Sequence, residues 1–163
     1  MKYLFLNILL ALATMLGAQN EQHFEEMGQD LFYQLTAPES GRFVPLIRIK
    51  EYLQFIESQD WEKDKIIRTQ NKVNQSYSQH YLEWQSSIEN LQRQYAQARR
   101  EGTTFEYLET RQFPVRGWED RYEMETSFIY RSADVQSEVV LRYRMAWLPD
   151  LGLRLISVVD ESF

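Results

Sequence analysis

The last third of the chain alternates. From Tyr122 to Arg131, Tyr122, Met124, Thr126, Phe128 and Tyr130 interleave with Glu123, Glu125, Ser127, Ile129 and Arg131. From Gln136 to Trp147, Ser137, Val139, Leu141, Tyr143, Met145 and Trp147 interleave with Glu138, Val140, Arg142, Arg144 and Ala146. A period of two in residues of high β-propensity marks strands with one buried face. The residues between them, Ser132 to Val135, form a loop of hairpin length. Pairing Arg131 with Gln136 sets Phe128 opposite Val139 and Met124 opposite Tyr143. On the other face it sets Glu125 opposite Arg142 and Glu123 opposite Arg144. Two opposite-charge pairs appear without being imposed, and a slip of one residue would turn every side chain to the wrong face.

Leu148 to Gly152, with Pro149 and Gly152, makes the next turn. Leu153, Leu155, Ser157 and Val159 then continue the buried face in a last strand, with Arg154, Ile156 and Val158 opposite. Val140, Ala146, Ile156 and Val158 make that opposite face partly apolar, so a partner, a second copy or a helix is expected to cover part of it. Phe105 to Phe113 reads as a fourth strand. There Phe105, Tyr107 and Phe113 share a face with Glu109 and Arg111, a placement that needs either a solvated strand edge or a wet cavity for the two charges.

Upstream the period changes to that of helices. Phe24, Met27, Leu31 and Leu35 recur at spacings of three and four, one face of an amphipathic helix. Thr36 to Arg42, with Pro38 and Gly41, is a break. Leu46, Ile49, Leu53 and Ile56 line a second helix with Pro45 in its first turn. Asp60 is a candidate cap for the next. Ile66, Val73, Tyr77, Tyr81, Trp84, Ile88, Leu91 and Tyr95 form a stripe that stops at Gly102. The segment is one long helix or a helix split at Asn71–Gln75. The expected fold is α+β: N-terminal helices over 20–101 packed on one face of a four-stranded antiparallel β-meander over 104–161, in a single domain.

The other end of the chain changes the picture of where this domain works. Lys2, the apolar run Tyr3 to Leu16 and the small-residue exit Gly17-Ala18-Gln19 have the pattern of a cleaved export signal over 1–19. The run falls short of the roughly 17–25 residues of a bilayer span. The expectation is a periplasmic or secreted protein with no stable membrane insertion after cleavage. The 163 residues include no cysteine, which excludes disulfides, thiolate metal sites and a cysteine nucleophile. A formal charge of −6 argues against a nucleic-acid partner. His23 with Glu26 and His80 with Glu83 are each spaced i, i+3, but neither has a third ligand or an HExxH arrangement, so no metal or cofactor is expected. No phosphate loop, GxSxG elbow or Ser-His-Asp spacing occurs.

This order of helices followed by a curved meander with an aromatic inner face, over about Asn20 to Phe163, resembles the NTF2-like (cystatin-like) α+β cone, and within it small exported bacterial proteins of unassigned function. The resemblance implies a long helix across the concave sheet and a ligand or active site at the mouth of the cone. Here that would be a pocket between the Tyr77–Tyr95 stripe and the inner sheet face, with Tyr77, Tyr81, Trp84, Glu109, Arg111, Tyr130 and Tyr143 facing a ligand. Two features depart from the family pattern: all helices lie upstream of the strands, and no Asp-His or Tyr-Asp pair aligns with an enzymatic subgroup. The expected function is a non-enzymatic binding module. It accepts a small apolar ligand, or forms a homodimer through the outer sheet face. The alternative is a small-molecule hydrolase or isomerase using Glu109 as acid or base. The plainer reading of the aromatic stripe is core facing the sheet.

Overall fold

The computed structural model describes residues 22–162, with side chains through Ser157; the leader expected over 1–19 lies outside the described residues. Helix α1 covers 22–36, a 3-10 turn covers Pro38–Ser40, α2 runs Ile49–Glu57 and α3 runs Lys63–Arg100. The strands are β1 Thr104–Pro114, β2 Arg121–Arg131, β3 Gln136–Leu148 and β4 Gly152–Ser162. They form one antiparallel sheet in the order β1-β2-β3-β4, so the chain is α+β with its helices packed on a four-stranded meander.

Strands β2 and β3 pair in the register that the alternation dictates, Arg131 with Gln136 and Met124 with Tyr143. The two charge pairs form: Arg142 to Glu125 at 2.9 Å and Arg144 to Glu123 at 3.0 Å. The outer strands break the alternation. In β1, Tyr107 pairs with Phe128 but Glu109 pairs with Ser127, which leaves Leu108 as the extra residue of a β-bulge. The bulge inverts the faces beyond it. Thr110 joins Phe105 and Tyr107 inside, while Glu109, Arg111 and Phe113 turn to the outer face, contrary to the uninterrupted alternation read from the sequence. In β4 the register shifts between Leu155 and Ser157, and Ile156 is the extra residue. Leu155 and Ile156 are both buried as a result. Ser157 then pairs with Arg144 and Val158 with Tyr143, and a second register shift follows before Asp160 pairs with Arg142.

Two apolar clusters lie on opposite sides of the sheet. On the inner face, Leu31, Phe32 and Leu35 of α1 and Ile88 and Tyr95 of α3 pack on Met124, Phe128, Leu141, Tyr143 and Leu155. On the outer face, Tyr52, Phe55 and Ile56 of α2 pack on Ala146, Leu148 and Ile156, flanked by Ile66, Val73, Tyr77 and Trp84 of α3. The partly apolar outer face therefore finds its cover in α2 of the same chain. Ala146 and Ile156 are buried within the protomer and unavailable to a second copy. Helix α3 is continuous and starts with Glu62 as its N-cap residue, so Asp60 is not the cap and the polar stretch near Gln70 is not a break. Its single stripe serves both clusters, passing from one side of the sheet to the other between Trp84 and Ile88.

Gly28 sits where α1 comes closest to the sheet. A Cβ placed there would stand 1.8 Å from Thr110 Oγ1 and 2.6 Å from Thr110 Cβ. Alanine is better than glycine in a helix by about 1 kcal/mol, but overpacking of this kind costs about 1–3 kcal/mol. The expected result of Gly28→Ala is a net loss of stability in urea unfolding. A variant as stable as the parent would show that α1 is free to lift from the hydroxyl-bearing strand.

Candidate functional site at the sheet edge

The chain crosses from the inner to the outer side of the sheet at the edge of β4. Val44 belongs to the inner cluster and Ile47 to the outer one, each fully buried. Between them Leu46 makes a parallel bridge to Leu155. Leu155 N–H donates to Pro45 O at 2.9 Å, and Ile47 N–H donates to Leu155 O at 2.9 Å. Pro45 lies outside any helix, and α2 begins only at Ile49 after Arg48, whose N–H is held by Glu51 Oε2 at 2.8 Å. The expected helical turn at Pro45 is thus replaced by a one-residue edge strand. A proline fits there because only its carbonyl is used.

Facing this crossover is the part of α3 that passes the sheet edge. The two enclose a half-open groove of about 580 Å³, lined by residues of the 38–48 segment and by Tyr81, Gln85, Ile88, Glu89 and Gln92 of α3. Its walls are fastened by amides. Buried Gln34 accepts the Val44 N–H through Oε1 at 2.8 Å, and Gln92 Nε2 donates to Gln34 O at 2.9 Å. Tyr77 OH donates to Ile47 O at 2.7 Å just below the groove. Burial pushes the Tyr77 hydroxyl pKa up to about 12, with the nearby Tyr81 and Glu51 adding to it. Phe43, 66% exposed, stands on the rim. Arg42 is committed to Asp30 at 2.8 Å and lies over the Tyr33 ring. Arg48 is exposed and, among the described residues, in no ion pair.

The residues singled out from the sequence do not converge. Tyr81 lines the groove. Tyr77 and Trp84 pack on the outer cluster. Tyr143 is 1% exposed, deep in the inner core and away from any mouth. Tyr130 sits with Tyr95 and Val135 at a separate depression of about 400 Å³ by the β2–β3 hairpin. Glu109 and Arg111 pair with each other on the outer face, both well exposed. The expected space between the aromatic stripe and the inner sheet face does not form: Tyr95 packs directly on Phe105 and Phe128, α1 covers the inner face beside it, and Tyr77 and Trp84 lie with the outer cluster. Leu46, Gln34, Gln85 and Arg48 escape a reading of the sequence, because Leu46 fits a helical spacing with Ile49 and Leu53. Val44 and Ile47 beside Pro45 are the available signal for a strand-like segment.

A second polar feature is also illegible in the sequence: a row of hydroxyls under α1. Tyr107 OH meets Glu25 Oε1 at 2.5 Å and Thr110 Oγ1 at 2.8 Å, Thr110 Oγ1 meets Thr126 Oγ1 at 2.9 Å, and Thr126 Oγ1 meets Tyr143 OH at 2.9 Å. Glu25 Oε2 accepts the Thr110 N–H at 3.1 Å. Counting protons fixes the direction. A carboxylate only accepts, so Tyr107 donates to Glu25; each hydroxyl has one proton, so Thr110 donates to Tyr107, Thr126 to Thr110 and Tyr143 to Thr126. Burial raises the pKa of both Tyr107 and Tyr143, in Tyr107 with the Glu25 carboxylate adding to it. The row ends in the closed core at Tyr143, so it fastens α1 to the sheet.

Comparison of the chain with protein-family models, with curated proteins and with solved structures finds no match. Among the described residues no group of His, Asp and Glu is arranged to hold a metal, and no helix is long and apolar enough to cross a membrane.

Two measurements check the hydroxyl row. Thr126→Val leaves the buried Tyr143 proton without an acceptor and is expected to cost about 1–3 kcal/mol, whereas Tyr143→Phe removes the terminal donor and is expected to cost about 0.5–1.5 kcal/mol. Equal costs in denaturant titrations would refute the assigned direction. The pH dependence comes from the raised tyrosines. Their stabilisation is complete below the unfolded-state value near 10 and is lost as pH rises above it. Stability should therefore fall from about pH 10 upward, and absorbance at 295 nm should show the buried tyrosines ionising in one step with unfolding. A gradual titration of every tyrosine in the folded protein would contradict it.

Proposed function

We propose that this is an exported, non-enzymatic binding module whose ligand occupies the groove between the 38–48 crossover and α3. The supporting observation is that the groove leaves apolar and amide surface uncovered on a frame fastened at Leu155, Gln34 and Tyr77. Pockets of this kind, with apolar walls and a few fixed polar groups, are the usual form of a binding site. Its walls are anchored on both sides of the sheet, so the groove is preformed and little ordering opposes binding. The bonds at Leu155, Gln34 and Tyr77 hold main-chain atoms in place. No general acid or base is assigned, since Glu109 pairs with Arg111 away from the groove.

Gln85 is exposed on α3 and, among the described residues, its side chain bonds to Glu89 alone, at 3.0 Å, so Gln85→Trp fills the groove without touching the core. Native mass spectrometry of the protein purified from its own envelope fraction should show a non-covalent mass on the parent that is missing from Gln85→Trp. A mass retained by the variant would place the ligand elsewhere. A bare parent that also gains no thermal stability from a metabolite library would overturn the reading.

A further inference from the structure

The bridge at Leu155 constrains what the groove can hold. Along an extended chain, successive peptide groups point to opposite sides. Pro45 O and Ile47 N are both turned to β4, where they bond Leu155. The N–H and C=O of Leu46 therefore point the other way, off the sheet edge and towards the groove that Leu46 lines. Two residues back on the same outward side, the Val44 N–H is already held by Gln34. Among the described residues, the Leu46 N–H and C=O have no protein partner. The groove thus has a strand edge as one wall, with one free donor and one free acceptor, and a helix as the other.

A strand edge facing a helix across an apolar trough is the geometry in which extended peptides bind by adding a strand. Main-chain bonds supply register, and alternate side chains drop into the trough. Here the trough presents Tyr81 and Ile88 from α3, and Phe43 on the rim. The charge at one end fits an anion. Arg48 is exposed and, among the described residues, in no ion pair, whereas Arg42 is already neutralised by Asp30. The rest of the protein is acidic, with a net charge of −6, so Arg48 marks the one end of the groove where an acidic residue gains rather than loses.

We propose that the groove binds an extended peptide segment, paired through its main chain to Leu46 and carrying a carboxylate against Arg48. This rests on the reading of the groove as the binding site and narrows its ligand to a class. The occupant is a polypeptide strand, and the specificity comes from one apolar side chain in the trough and one acid at its end.

The test pans randomised decapeptides on the full mature protein, with Gln85→Trp as counter-selection. Selected peptides are then made with N-methyl groups on alternate main-chain nitrogens and measured by fluorescence anisotropy. Enriched peptides should be extended in pattern and contain an acid. N-methylation of one alternate set should weaken binding about tenfold, roughly one lost hydrogen bond, and that of the other set should leave it unchanged. Arg48→Glu should weaken the acidic peptides and turn the preference to lysine. Equal tolerance of both N-methyl sets, or indifference to Arg48→Glu, overturns the proposal. If no peptide enriches while the native mass remains sensitive to Gln85→Trp, the peptide proposal fails and the groove stands as the site of another ligand. If neither signal appears, both fail.

Discussion

One residue's main chain joins the two halves of this molecule. Leu155 pairs with Met145 inside the sheet, and on its free side with Pro45 and Ile47. That second pair of bonds fixes where the chain passes from the inner to the outer side. Everything on either side depends on it. Val44 is drawn into one cluster, Ile47 into the other, and α2 begins in the right place to cover Ala146 and Ile156. Arg154 adds an ion pair across the same boundary, to Glu51 of α2 at 3.7 Å. Because both members are largely buried, the pair acts more through orientation than through net attraction. Without the crossover, α2 would have no fixed approach and the outer face would stay half apolar.

Helix α3 answers the same constraint from outside. It spans 38 residues, of which only Ile88 and Tyr95 are buried: its first half flanks the outer cluster beside α2, and its last turns bring Tyr95 onto Phe105 and Phe128 of the inner face. Its polar bonds are spread along its length: Gln70 to Leu53 O at 3.3 Å, Tyr77 to Ile47 O, Gln92 to Gln34 O, and Arg99 to Thr36 O at 3.1 Å. Each takes up a carbonyl of α1, α2 or the crossover. A sequence pattern shows such a helix as a stripe. It does not show that one end of the stripe serves one core and the other end a second.

The same two-sided packing explains which parts of the fold are legible in the sequence. The β2–β3 register can be read because both faces carry independent information, apolar on one side and paired charge on the other. Bulges carry no such signature. Leu108 and Ile156 are ordinary strand residues, yet Leu108 turns the rest of β1 to the other face and Ile156 is buried beside Leu155. That is why strict alternation places Glu109 and Arg111 inward, and why it passes over Thr110, which does lie inward. The edge strand at Leu46 is hidden for a different reason. Its spacing to Ile49 and Leu53 suits a helix, and only the tertiary bond to a residue more than a hundred positions away decides between the two. The candidate site is built from that bond, so it is the least legible part of the chain.

The hydroxyl row and Gly28 set how α1 meets the sheet, and the crossover sets when. Leu46 cannot take its place until β4 exists, and β4 follows every other described element along the chain. A contact of such sequence separation forms late and slowly compared with helix or hairpin formation. The helices that come first off the ribosome can gain their own hydrogen bonds but have no surface to close upon. The crossover therefore works as a latch: it closes only once β4 is in place, and in closing it commits the 38–48 segment to its path across the sheet edge.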